Sequence, residues 1–196
     1  QKPCMRYLNK HLSCKRLKQK RKNPPDNEVS AKRAWRRFNK KDTRRACYKL
    51  QQGICAYTEL SLDSELLGSH LEHIAPRGRF PERTFLTDNL VLSILADDYS
   101  GTLKETERFA GHFKKSQYAD DWFISPYQQG CDKYFQYCSQ TGEVYPEKSL
   151  DAFERTKAER TISTLNLNCD YLTNKRLKQL TDLEETINTL LAEQTG

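Results

Sequence analysis

The chain has 196 residues, 36% hydrophobic and 30% charged, which suits one compact domain with a modest core. No apolar run approaches the roughly 18–20 residues of a membrane helix, and the start Gln1-Lys2-Pro3-Cys4-Met5 has no hydrophobic leader, so membrane and secreted classes are set aside. The net charge of +7 is unevenly spread: residues 1–50 hold 18 Lys/Arg against 3 Asp/Glu, and the remainder holds 15 against 23. That polarity predicts a phosphate-binding segment joined to an acidic body, with a solvated basic helix or a partner-docking segment as the plainer alternative.

Seven cysteines (Cys4, Cys14, Cys47, Cys55, Cys131, Cys138, Cys169) are irregularly spaced and include no Cys-x-x-Cys pair. An odd, unpatterned set reads as reduced thiols in a cytosol, most of them small core or surface residues.

Residues 1–29 are expected to form a basic N-terminal arm, with Leu8, Leu12 and Leu17 on a short basic helix or ordered segment. The run Asn23-Pro24-Pro25-Asp26-Asn27 then forms a turn that no helix crosses. Residues 30–53 read as a helical lead-in. Ser30 can cap a helix carrying Trp35 and Phe38 on one packing face, with Asn27 or Glu28 as looser starts. Asp42 can cap a second helix from Thr43 to Gln52, stopped at Gly53, with Ala46, Cys47 and Leu50 inward. Residues 54–118 read as the central unit: strand-like Ile54–Thr58 and His70–Ile74, a basic loop from Pro76, apolar Leu90–Leu95, then a helix-like segment through Phe113. From 119 onward, Trp122–Pro126 reads as extended, and Tyr134–Cys138 with Glu143–Pro146 as a hairpin turning at Gly142. Asp151 can cap a helix carrying Phe153, Ile162 and Leu165. A last helix from about Thr173 carries Leu177, Leu180, Leu183, Ile187 and Leu190 on one stripe, either core or docking surface.

The chemistry concentrates between Cys55 and Asp98. His70 and His73 stand three residues apart with Glu72 beside the second, Asn89 follows His73 by sixteen residues, and Asp98 follows Asn89 by nine. A carboxylate–histidine dyad, a downstream asparagine and a further acidic residue are the parts of a one-metal hydrolytic site. Neighbours on a strand face opposite ways, so Glu72 and His73 divide the labour between ligand and base. Arg77 and Arg79 can clamp phosphate; His112 reads as a packing or surface residue, and His11 carries no catalytic signal.

The spacing resembles the HNH nucleases, whose fold is the α+β ββα-metal unit. Glu72-His73, Pro76 three residues on and Asn89-Leu90 match that pattern, and Asp98 stands where the family has its last His or Asn. The resemblance implies His73 as general base, Glu72 and Asp98 as Mg²⁺ (or Mn²⁺) ligands with Asp97 as the one-residue alternative, and Asn89 as the residue that orients or braces His73. Many HNH domains add two Cys-x-x-Cys pairs around a structural zinc. Here those positions read Cys55-Ala56-Tyr57-Thr58 and Ile94-Leu95-Ala96-Asp97. Tetrahedral zinc takes about four protein ligands, so no structural zinc is expected, with apolar packing around Cys55 and Ile94 in its place.

A closer resemblance is to the PtuB-like HNH proteins of Septu antiphage systems, some of them linked to retrons. Cys55-Ala56-Tyr57-Thr58-Glu59, His70-Leu71-Glu72-His73, Pro76-Arg77, Asn89-Leu90, Phe123-Ile124-Ser125-Pro126 and the run from Thr161 to Arg176 carry it. It implies a bacterial cytoplasmic nuclease acting with a PtuA-like ATPase of the ABC/SMC type, and through it with a retron reverse transcriptase and its msDNA. His70 becomes a third ligand or a phosphate-positioning residue, and residues 119–196 a region that docks the ATPase. DNA is the default substrate, with RNA, including tRNA, open. Arg36, Arg37, Lys40, Arg44 and Arg45 would hold the phosphate backbone. The alternative is a catalytically silent HNH-derived adaptor that binds nucleic acid or the ATPase.

Overall fold

The computed structural model describes residues 5–10, 12–63 and 66–194; Cys4 and His11 lie outside them. Among the described residues the fold is mixed α+β, with seven α-helices and two small antiparallel sheets. The basic N-terminal segment packs on the body. Leu8, Leu12 and Leu17 are buried in a hydrophobic cluster that runs from Met5 to Leu172, and α1 (Lys15–Lys20) presents its charges outward from that anchor.

α2 (Glu28–Arg37) is capped by Asn27, one of the two looser starts, three residues before Ser30. The Asn27 side chain accepts from the Ser30 amide at 2.9 Å, and Ser30 Oγ accepts from the Asn27 amide at 3.2 Å, so Ser30 closes the cap from inside the helix. Trp35 stacks on Phe38, and both press on Phe85. α3 (Lys41–Gln51) ends where Gln52 and Gly53 turn left-handed, at φ 56° and 74°. Asp42 does not cap it; that carboxylate pairs with Arg16 at 3.1 Å.

β1 (Ser69–His73) pairs with β2 (Leu90–Ile94) in antiparallel register, His70 opposite Ser93 and His73 opposite Leu90. The far edge of β2 is covered, which deals with the exposed backbone of an edge strand. The Gln51 side chain donates to the Leu92 carbonyl at 2.9 Å and accepts from its amide at 2.7 Å. The Ala56 amide reaches the same carbonyl, and the Ile94 amide donates to Cys55 Sγ at 3.3 Å. Residues 54–58 are therefore a turn laid along β2 and not the expected strand; their one ladder contact is an isolated bridge between Ile54 and Ser61.

The helical stretch expected after β2 is split into α4 (Asp97–Ser100) and α5 (Gly111–Lys114) by extended Lys104 and Arg108 and by Ala110 at φ 54°, and Lys115 at φ 51° ends α5. Trp122–Pro126 is buried but forms no strand, its Ile124 amide being taken by Thr161 Oγ1 at 3.1 Å. The expected hairpin is present as β3 (Phe135–Tyr137) and β4 (Val144–Pro146). Gly142, at φ 71°, abuts α7 so closely that a Cβ there would lie 2.3 Å from the Thr173 carbonyl oxygen. α6 (Ala152–Thr164) is capped by Asp151, with Ile162 and Leu165 buried and Phe153 exposed. α7 (Asp170–Gln194) begins one turn earlier than expected. Leu172 and Arg176 anchor it, and Leu183, Ile187, Leu190 and Leu191 are exposed along its free half. Among the described residues no helix is long and apolar enough to cross a membrane.

Candidate metal centre and adjoining base

β1 alternates, so His70 and Glu72 share one face of the hairpin and Leu71 and His73 the other. On the His70 face three side chains converge: His70, Asp97 at the start of α4 and His112 of α5 each place a ligand atom within 4.8 Å of the others. The two imidazole centroids are 4.2 Å apart, and His112 Nε2 lies 3.3 Å from Asp97 Oδ1. His112 is the member that sequence reasoning missed, because it lies 39 positions from His73 and belongs to no spacing pattern. Gly111 beside it was the available signal. A Cβ there would stand 2.7 Å from the Glu72 carboxylate and 2.9 Å from His70 Nε2, so only glycine lets α5 approach this closely.

His70 Nδ1 lies 2.7 Å from the Leu95 carbonyl oxygen, which only accepts, so Nδ1 carries a proton. Its Nε2 lies 3.3 Å from Glu72 Oε2, again an acceptor. Burial lowers the His70 pKa, but the Glu72 carboxylate, the Leu95 carbonyl and Asp97 outweigh it and raise the net value. His112 Nε2 is buried and makes no hydrogen bond, and burial with the neighbouring His70 lowers its pKa. Leu95, whose carbonyl serves both rings, has a φ of +82°.

Glu72 and Asp98, the expected ligands, are placed differently. Glu72 is gripped from behind by Lys114, fully buried, whose Nζ lies 2.9 Å from Glu72 Oε1 and also donates to the carbonyls of His73 and Ile74. Burial pushes the Glu72 carboxyl up, but Lys114 and His70 outweigh it and hold it at about 2. Glu72 is outside the His70–Asp97–His112 group. Asp98 is exposed, and its carboxylate accepts from the Tyr99 amide. The convergent acid of α4 is its neighbour Asp97.

His73 ends β1 on the opposite face, edge-on to Trp35 at 4.4 Å. Its Nε2 donates to the Thr84 carbonyl at 3.1 Å, which leaves a lone pair on Nδ1, and Arg77 donates to that atom at 3.3 Å. Burial and the Arg77 charge push the imidazole down to about 3, so it is neutral at physiological pH. Asn89 does not touch the ring. It accepts from the Ala75 amide at 2.6 Å and donates to the carbonyls of Ala75 and Arg83 at 3.1 and 2.9 Å, fixing the turn whose next residue, Thr84, orients His73.

Arg77 joins the two faces: it contacts His73 and feels the charges of Glu72 and Asp97, while burial lowers its own pKa. Arg79 is instead tied to the carbonyls of Ser116 and Tyr118. Lys40 closes the end of α2 through the carbonyls of Trp35 and Phe38, and Arg44 holds Ser69. Arg36, Arg37 and Arg45 are exposed.

Compared with known proteins, the sequence matches no family model and no curated protein sequence.

Proposed function

We propose that the chain is a metal-dependent endonuclease of the HNH type, its ββα unit formed by β1, β2 and the short helices α4 and α5. The observation that carries this reading is His73: a neutral imidazole with Nε2–H locked on the Thr84 carbonyl and Nδ1 offered as a base. In this reading His73 Nδ1 takes a proton from the attacking water. Arg77 binds the scissile phosphate; drawing the guanidinium onto phosphate frees Nδ1 from its present donor. Asn89 keeps the base in register through the 75–84 turn. The donor set of His70, Asp97 and His112 fits a divalent ion, with Mg²⁺ or Mn²⁺ the expectation from the resemblance. Such an ion supplies charge stabilisation to the phosphate and the leaving oxygen.

The exposed Arg36, Arg37 and Arg45 form the backbone-binding surface of this reading, with DNA favoured over RNA or tRNA. An antiphage role with a PtuA-like ATPase, in a bacterial cytoplasm, rests on the sequence resemblance, and the exposed Leu183–Leu191 stripe of α7 is the surface offered to such a partner. One observation favours the adaptor reading: Arg77 occupies the lone pair of His73. The test is nucleic-acid cleavage with Mg²⁺ or Mn²⁺, with and without the partner ATPase, by wild type and His73→Ala. Loss of cutting in the variant supports the base assignment, equal cutting sinks it, and binding without cutting by wild type selects the adaptor.

A further inference from the structure

The acceptors around His70 point to a more specific statement about the ion. With Nδ1 of His70 held by the Leu95 carbonyl at 2.7 Å, Nε2 is the nitrogen that faces the centre, 3.3 Å from the Glu72 carboxylate. His112 Nε2 is buried without a hydrogen bond, 3.3 Å from Asp97 Oδ1. Ligand atoms of two imidazoles and the Asp97 carboxylate thus lie within 4.8 Å of one another, a spacing that one cation can bridge.

The surroundings are those of ligating histidines. Such rings almost always donate the other N–H to a carbonyl or carboxylate, which sets tautomer and orientation; here the Leu95 carbonyl serves both His70 and His112. Leu95 holds that carbonyl in place from a left-handed conformation at φ +82°, of a kind that persists where the surroundings over-determine it. Gly111 permits the close approach of α5. Lys114 already neutralises Glu72 from Oε1, so that carboxylate is a positioning group beside His70.

We infer that this centre takes a transition-metal dication such as Mn²⁺, Co²⁺, Ni²⁺ or Zn²⁺ in preference to Mg²⁺, through His70 Nε2, His112 Nε2 and Asp97, with Glu72 outside the ligand set. Imidazole nitrogen suits Ni²⁺ and Zn²⁺ best, and a given nitrogen site holds Mn²⁺ least tightly of this series, whereas Mg²⁺ keeps oxygen ligands and water. The inference rests on the metal-centre reading above and refines its ion and ligands.

The test measures binding on the full chain, separately from cleavage. Mn²⁺ is titrated by calorimetry with Mg²⁺ as competitor, and the Mn²⁺ complex is read by pulsed EPR for nitrogen coupling. The expected result is coupling to two imidazole nitrogens and little displacement by a large excess of Mg²⁺. His112→Ala should weaken Mn²⁺ binding by more than about 100-fold, beyond the 10–100-fold loss of an outer-shell partner, and Glu72→Gln by less than that. Asp97→Ala, on the exposed α4, carries the same expectation if His112→Ala fails to fold. Absence of nitrogen coupling, equal affinity for Mg²⁺, or loss of binding in Glu72→Gln but not in His112→Ala overturns the inference. Tight two-imidazole binding with no cleavage of any nucleic acid sinks the nuclease reading and leaves this one standing.

Discussion

Lys114→Met tests whether the site is braced by an internal ion pair. Lys114 has no solvent exposure, its ammonium lies 2.9 Å from Glu72 Oε1, and it donates to the carbonyls of His73 and Ile74 at 3.2 and 3.1 Å. Methionine fills much of the same space but strands a buried carboxylate and two strand-end carbonyls. Removing one partner of a buried pair costs about 3–5 kcal/mol, and for a chain of this size that lowers the melting temperature by on the order of 10 °C. Replacing both partners, as Lys114→Met with Glu72→Leu, removes the stranded charge and should restore most of the loss. Urea unfolding of the two single variants and the double completes the cycle, with an expected coupling of about 2 kcal/mol or more. A loss under about 1 kcal/mol for Lys114→Met, or additive single effects, would refute the claim that this pair holds the end of β1.

Gly111→Ala should cost about 1–3 kcal/mol through overpacking against Glu72 and His70, and should weaken metal binding in the same calorimetric titration. Asn89→Ala strands the Ala75 amide and two carbonyls; a loss of about 2–4 kcal/mol in urea unfolding, with cleavage falling alongside, is the expected outcome. The imidazole of His73 is pushed down to about 3 in the fold from an ordinary 6.5. Its contribution to stability is therefore fully present above pH 6.5 and lost as the pH falls through 3. His73→Gln should flatten the acid limb of unfolding free energy against pH, and an unchanged limb would remove His73 as its source. Arg36→Ala with Arg37→Ala should lower nucleic-acid affinity and reduce the slope of log K against log salt by about one to two; an unchanged slope would place the interface elsewhere.

Local patterns in the chain were enough for much of the fold. The stop at Gly53, the hairpin turning at Gly142 and the cap at Asp151 depend on neighbours within a few residues, and each appears where local chemistry puts it. The alternation of β1 separated Glu72 from His73, as strand geometry demands. Elements whose hydrogen bonds come from distant residues were not legible in that way. Residues 54–58 have strand-like composition, but their donors are spent on the edge of β2 and on their own turn; Trp122–Pro126 is apolar, but its Ile124 amide bonds a threonine of α6.

The same division runs through the site. The sequence by itself brought His70, Glu72, His73 and Asn89 into one reckoning, because they lie on β1 and at the residue just before β2. Two things were decided only in three dimensions. Asp97 and not Asp98 lies beside His70 and His112, since the start of α4 sets which of two adjacent, exposed carboxylates reaches the two rings. His112 and Lys114 arrive from α5, a one-turn helix positioned by the positive φ of Ala110 and the missing side chain of Gly111. A candidate ligand and a counter-ion delivered by a packing contact leave no periodicity behind, and that is why they were invisible until the chain was folded.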